Sequence, residues 1–321
     1  MIRRMRNYSE SKMIQNPHLQ IPTLKCTLWT AVDLLLILIM LLLLAALVNW
    51  TTIGTVDFPC QNRQNLQYPY MGDTVSHSLL YVVGSVVPVT FFYVTELASE
   101  SHRASKDYIC VSLTEVIRVT VLYTFGAAVT LIFTHIGKVS TMRLQPNFLA
   151  TCKPNITFSN CTKGFTNLSI DNCQNKQVYA WEIKSSFCSF PSVHAALSAY
   201  SMVYLVIYLQ ARLKVTFSVL FCPLLQAGAI CVAYYIALTR ISDYKHHWVD
   251  VIAGSFLGIL LGVYVAVKVT NLFYKKTKAE TKTSKSVAVS TNTRKMGSSI
   301  EIGEHTHLFD TVESLEVEHP V

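Results

Sequence analysis

Three short segments gather residue types that act on anions. The richest is Thr239-Arg-Ile-Ser-Asp-Tyr-Lys-His-His-Trp-Val-Asp250. His246 and Asp250 stand four apart, a spacing that on a helix puts two side chains on one face. A carboxylate beside an imidazole fixes its tautomer and stabilises its charged form, so His246 reads as a nucleophile or base oriented by Asp250. Arg240 adds a planar fork suited to phosphate oxygens. The second segment, Phe190-Pro-Ser-Val-His-Ala195, sets Ser192 and His194 at a helix start, where backbone donors face an anion and an acid can deliver a proton. The third, Lys138-Val-Ser-Thr-Met-Arg-Leu-Gln-Pro146, supplies two cations, Lys138 and Arg143. The three together describe an anion site. No metal-ligand spacing is present, and the sequence implies no cofactor.

The elements that must position these residues are membrane spans. The chain is 51% apolar and 14% charged with a mean hydropathy of +0.36, far from the balance of a soluble domain. Its apolar residues fall in six runs: Leu28 to Val48, Leu79 to Leu97, Val116 to Ile136, Val193 to Leu209, Phe217 to Ala237 and Val249 to Leu272. Each approaches the length of about 20 residues that a helix needs to cross a bilayer. The fold expected is all-α, a polytopic bundle of six transmembrane helices. The second run holds Gly84 and Pro88, breakers that membrane helices tolerate when neighbours satisfy the freed backbone groups. Asp33, Glu96, Glu115 and Arg118 lie in or beside spans and are expected to snorkel or pair at the interfaces.

Basic residues in short loops set the orientation. Arg3, Arg4, Arg6, Lys12 and Lys25 precede the first span, Arg103 and Lys106 separate the second from the third, and Arg212 and Lys214 separate the fourth from the fifth. Lys268, Lys275, Lys276 and Lys278 surround the end of the sixth. With six spans all these share the cytoplasmic side, so residues 1–27 form a cytoplasmic N-terminus, 28–272 the membrane domain and 273–321 a disordered cytoplasmic tail rich in Ser, Thr, Lys, Glu and His. The first run follows too long a segment to be a cleaved signal and is read as a retained span. Topology and anionic inner-leaflet lipid account for the net charge of +8, and nucleic acid is not required as a partner.

The segment from Gly137 to Cys188 is then outside. It carries three N-glycosylation triplets, at Asn155, Asn160 and Asn167, while those at Asn7 and Asn49 fall where glycosylation does not reach. It also holds Cys152, Cys161, Cys173 and Cys188, with Cys60 in the other outer loop, as expected of an oxidising compartment. Two disulfides within the long loop are expected, with three connectivities open. Cys26, Cys110, Cys222 and Cys231 read as small buried hydrophobes.

The three segments resemble the motifs of the lipid phosphate phosphatases, the membrane branch of the type 2 phosphatidic acid phosphatase superfamily: K-x6-R-P, P-S-G-H and S-R-x5-H-x3-D. The resemblance spans about Leu28 to Leu272 and includes the stretches Ser201 to Arg212 and Asp243 to Trp248. It implies a six-helix fold with an outward-facing or lumenal site that hydrolyses lipid phosphate monoesters without a metal. Carried onto this chain, it makes His246 the nucleophile of a phosphohistidine, Asp250 its orienting partner and His194 the acid that protonates the leaving oxygen. Lys138, Ser192 and Arg240 would hold the phosphoryl oxygens. Three positions depart from the pattern: Gln145 replaces Arg, Val193 replaces Gly and Thr239 replaces Ser. Gln145 is the largest loss, a full charge and a bidentate fork, expected to slow turnover about ten- to a hundredfold.

The function expected is hydrolysis of phosphatidate, lysophosphatidate or sphingoid phosphates, in phospholipid metabolism and lipid signalling. The alternative is a phosphatase-related membrane protein with little turnover that binds lipid phosphates or partners. A six-span channel or transporter rests on span count alone, without the discontinuous-helix repeats of transporters. Partners are the bilayer and its lipid phosphates, and the sequence is open to a homo-oligomer. A glycosylated member of this family is expected at the plasma membrane with its site outside; the Golgi or endoplasmic reticulum would present the same topology.

Overall fold

The computed structural model describes residues 17–50, 54–59, 63–100, 106–155, 164–213 and 218–273. The expected termini and tail lie largely outside these, as do Asn160, Cys60 and Cys161. Among the described residues six helices are long and apolar enough to cross a membrane: α1 (Pro17–Trp50), α2 (His77–Glu100), α3 (Lys106–Thr141), α6 (Val193–Arg212), α7 (Phe221–Ser242) and α8 (Trp248–Tyr264), the last prolonged by a π-helical turn to Val269. Between α3 and α6 run two short helices, α4 (Phe148–Cys152) and α5 (Ala180–Ser186). A two-stranded antiparallel ribbon, β1 (Val56–Pro59) with β2 (Phe165–Leu168), ties the two loops on that side together. The protein is an integral membrane protein.

Helix α6 is the central element. In its spanning stretch 72% of residues are buried, against 6% in α1, so α6 packs on protein all round while α1 shows lipid its leucines. Tyrosine hydroxyls stitch this core. Tyr200 donates to the Tyr123 carbonyl at 2.7 Å, Tyr204 pairs with Thr270 at 2.9 Å and Tyr208 reaches Glu96 at 3.2 Å. In a medium without water such partners are what make buried hydroxyls tolerable. Tyr123 also donates to the Gly84 carbonyl, the group that Pro88 leaves free four residues later in an unbroken α2. The proline is therefore accommodated in the way the sequence requires.

The charges at the other end of the bundle pair with one another. Glu115 takes a fork from Arg118 at 2.8 and 2.9 Å and a bond from Arg212 at 2.8 Å. Cys231 contradicts its expected burial, because its face of α7 is exposed where lipid would lie; Cys222 is half-buried.

Close approach of α6 and α8 fixes the distance between the second and third motifs. Gly254, Gly258 and Gly262 form a small-residue stripe against the α6 backbone. A Cβ on Gly254 would come within 2.5 Å of the Ser192 carbonyl oxygen, and one on Gly258 would overlap the carbonyl oxygen of Ala196. Gly258→Ala is expected to cost about 2–3 kcal/mol, because a rigid backbone rather than a flexible side chain stands in the way. Gly228→Ala, with nothing within 4 Å, should leave the thermal unfolding midpoint in detergent unchanged. Equal midpoints for the two variants would disprove this account of the packing.

Candidate active site

All three motifs meet at one end of the bundle. Lys138 ends α3, His194 opens α6, Arg240 ends α7 and Asp250 opens α8. Lys138, Gln145, Val193, His194, Arg240 and His246 share the lining of a cavity of about 80 Å³. Joining them are Asp73, His77, Trp181, Glu182, Ser185 and Lys245, none of which the motif reading singled out.

His246 lies just before α8, whose N-cap is His247, so the helical spacing to Asp250 does not operate. Its Nδ1–H donates to the Ser189 carbonyl at 2.7 Å. A carbonyl only accepts, so this bond assigns the proton to Nδ1 and leaves Nε2 with its lone pair. Asp250 does not touch the ring. Its fully buried carboxylate accepts from Ser189 Oγ at 2.6 Å, Arg143 at 2.7 Å, the His247 N–H at 2.9 Å and His247 Nδ1 at 3.2 Å. Ser189 stands between the two: its carbonyl accepts from the imidazole and its hydroxyl is held by the Asp250 carboxylate. Burial and the Lys138 cation push the His246 pKa well below the usual imidazole range, against the pull of Asp250. Both effects favour the neutral imidazole, the form in which Nε2 is nucleophilic.

His194, 3% exposed, donates from Nε2 to the Val75 carbonyl at 3.1 Å, and its ring lies 4.6 Å from that of His77. Ser192 is the N-cap of α6, with its buried hydroxyl accepting from the Ala195 N–H at 3.4 Å. That hydroxyl serves the helix start and is not part of the cavity wall. Val193 occupies the first helical position and asks for no positive φ, so replacement of Gly there brings bulk to the cavity without backbone strain. Thr239 keeps its hydroxyl beside Arg240, at 3.5 Å.

The cations differ in how far they are committed. Lys138 Nζ donates one bond, to the Cys188 carbonyl at 2.5 Å. Arg240, 1% exposed, spends its fork on Asp73 at 2.9 Å and Asp243 at 2.6 Å, while its buried Nε has no partner among the described residues. Arg143 is held by Asp250 and stands outside the cavity. Gln145 faces the cavity with its amide 3.4 Å from Ser185 Oγ.

A strap from Tyr68 to Val75 crosses this site. Tyr68 stacks on Tyr244 with ring centroids 4.7 Å apart, Tyr70 donates to both oxygens of Glu182, and Thr74 binds Asp243 through N–H and hydroxyl at 2.9 and 2.6 Å. Burial and Glu182 raise the Tyr70 phenol to about 12, so it remains a donor. The sequence signal for this strap was slight: an uncharged-looking loop with one Asp and three aromatic or hydroxyl anchors.

Among the described residues a disulfide, Cys152–Cys173, closes part of the long loop. Cys188 is free and buried beside Lys138, and burial raises its thiol pKa, which corrects the expectation of two bridges among the four cysteines. Asn155 is exposed next to that bridge and Asn167 is exposed on β2.

The PAP2 superfamily profile matches residues 119–274. A putative phosphatidate phosphatase of Drosophila melanogaster is 34% identical over 230 residues, covering 66% of this chain and 61% of that protein, less than two thirds of its length. Phospholipid phosphatase 1 of Rattus norvegicus is 34% identical over 222 residues, covering 65% of this chain and 74% of the relative. Phospholipid phosphatase-related protein type 5 of Homo sapiens is 33% identical over 242 residues, covering 69% and 74% respectively. No solved structure matches. The chain belongs to the PAP2 superfamily.

Proposed function

We propose that the protein is a lipid phosphate phosphatase that hydrolyses phosphate monoesters of phosphatidate, lysophosphatidate or sphingoid phosphates through a phosphohistidine on His246. The observation that carries this is the Ser189 carbonyl on Nδ1, which leaves Nε2 as the unpartnered ring nitrogen of an imidazole in a cation-lined cavity. Relatives named as phosphatidate and phospholipid phosphatases support the substrate class.

In the first step Nε2 attacks phosphorus while the bond to the lipid oxygen breaks. Lys138 and Arg240 hold the phosphoryl oxygens, where their charge counts most in the transition state. Phosphate brings negative charge beside His194 and favours its second proton. Because Val75 holds Nε2–H, that proton sits on Nδ1 and passes to the leaving oxygen, which departs as the alcohol. In the second step His194 takes a proton from water as its oxygen attacks phosphorus, the P–N bond breaks and phosphate leaves. The site faces the outer side, where the disulfide and the exposed Asn155 and Asn167 also lie.

A second reading, lipid phosphate binding with little turnover, draws on Gln145 in the cavity wall and on the likeness to a phosphatase-related protein. Quenching radiophosphate-labelled lysophosphatidate into alkali during the first turnover distinguishes them. Base-stable, acid-labile label on His246 is the expected result, and turnover without such label would rule out the covalent route.

A further inference from the structure

Relative to the family pattern the phosphate grip lacks one cation, at Gln145. Arg143 does not replace it, since its guanidinium is bonded to Asp250 at 2.7 Å and lies outside the cavity. Lys245 does line the cavity. It is 8% exposed, and its N–H and that of His246 both donate to the Arg240 carbonyl at 3.2 Å, so cation and nucleophile leave the same turn. Its ammonium is held at a distance: Glu182 Oε1 at 3.5 Å, Asp73 Oδ1 at 3.9 Å and the face of Tyr70 at 4.9 Å to the ring centroid. These are ion-pair and ring contacts longer than a close hydrogen bond, so the ammonium keeps N–H donors for a phosphoryl oxygen. A phosphoryl oxygen entering the cavity offers this ammonium a short, charge-assisted hydrogen bond.

We infer that Lys245 is a phosphate-binding residue of this site, a cation on which the grip depends more heavily because position 145 carries no charge. Tyr70, anchored through its hydroxyl to Glu182, positions the ammonium from below. Asp73 bridges Arg240 and Lys245, and phosphate takes its place between the two cations. The inference rests on the phosphate monoesterase reading, so its test measures anion binding separately from turnover.

Orthovanadate and inorganic phosphate are titrated calorimetrically into the full chain in detergent, as wild type, Lys245→Gln, Gln145→Arg and the double variant. Lys245→Gln is expected to weaken orthovanadate binding about ten- to a hundredfold and to lower kcat/KM for lysophosphatidate by a similar factor. Gln145→Arg should restore most of that affinity in the Lys245→Gln background, which also shows that the variant is folded, and add less than about fivefold to the wild type. Orthovanadate affinity unchanged in Lys245→Gln, or a gain from Gln145→Arg that is equal in both backgrounds, overturns the inference. Phosphate release undiminished in Lys245→Gln would do so while leaving the enzyme reading intact. Binding that depends on Lys245 in a wild type that releases no phosphate would uphold the inference and defeat the turnover reading.

Discussion

His246→Ala is expected to lower phosphate release from lysophosphatidate at least about 10⁴-fold, because the variant removes the atom on which the proposed intermediate forms. His194→Ala should lose about 10²- to 10⁴-fold on the same lipid, the usual contribution of a positioned acid or base. The two separate on a good leaving group. With para-nitrophenyl phosphate, whose departing oxygen needs no proton, the first step of His194→Ala should recover most of its rate while His246→Ala stays inactive. Recovery in both variants, or in neither, would reverse or cancel the roles assigned here.

Asp250→Asn should lower kcat about 10²- to 10⁴-fold with a smaller effect on KM, although Asp250 touches neither substrate nor the nucleophilic ring. Four donors converge on its carboxylate, and an amide accepts through one oxygen only, setting its own NH₂ against the remaining donors. The consequence reaches His246 through Ser189. Ser189→Ala keeps the backbone carbonyl on Nδ1 and should cost about tenfold. A loss in Ser189→Ala as large as in Asp250→Asn would mean that the hydroxyl rather than the carbonyl fixes the imidazole.

Much of this was legible from periodicity and residue type. Six apolar runs near bilayer length gave six spans, and Pro88 was tolerated for the reason membrane helices tolerate proline, a neighbour's donor on the freed Gly84 carbonyl. The histidines, Lys138 and Arg240 converge because each stands at the same end of its helix, which span parity dictates. What spacing could not supply was the start of α8. One residue of cap at His247 takes His246 off the helix, and the expected contact with Asp250 becomes a relay through Ser189, a residue with no motif of its own. Asp73, His77 and the Tyr68–Val75 strap were missed because their meaning lies in tertiary contacts across 100 residues or more, such as Thr74 to Asp243. Lys245 was in plain view within the Thr239–Asp250 segment, yet only its place in the cavity wall distinguishes it from an interfacial lysine.

The most direct test of the central claim is phosphate release from lysophosphatidate and sphingosine phosphate in mixed micelles containing chelator, with wild type beside His246→Ala. Release by the wild type that vanishes in the variant is the predicted result. Wild-type release no greater than that of His246→Ala would contradict the enzyme and leave a lipid phosphate binding protein in its place.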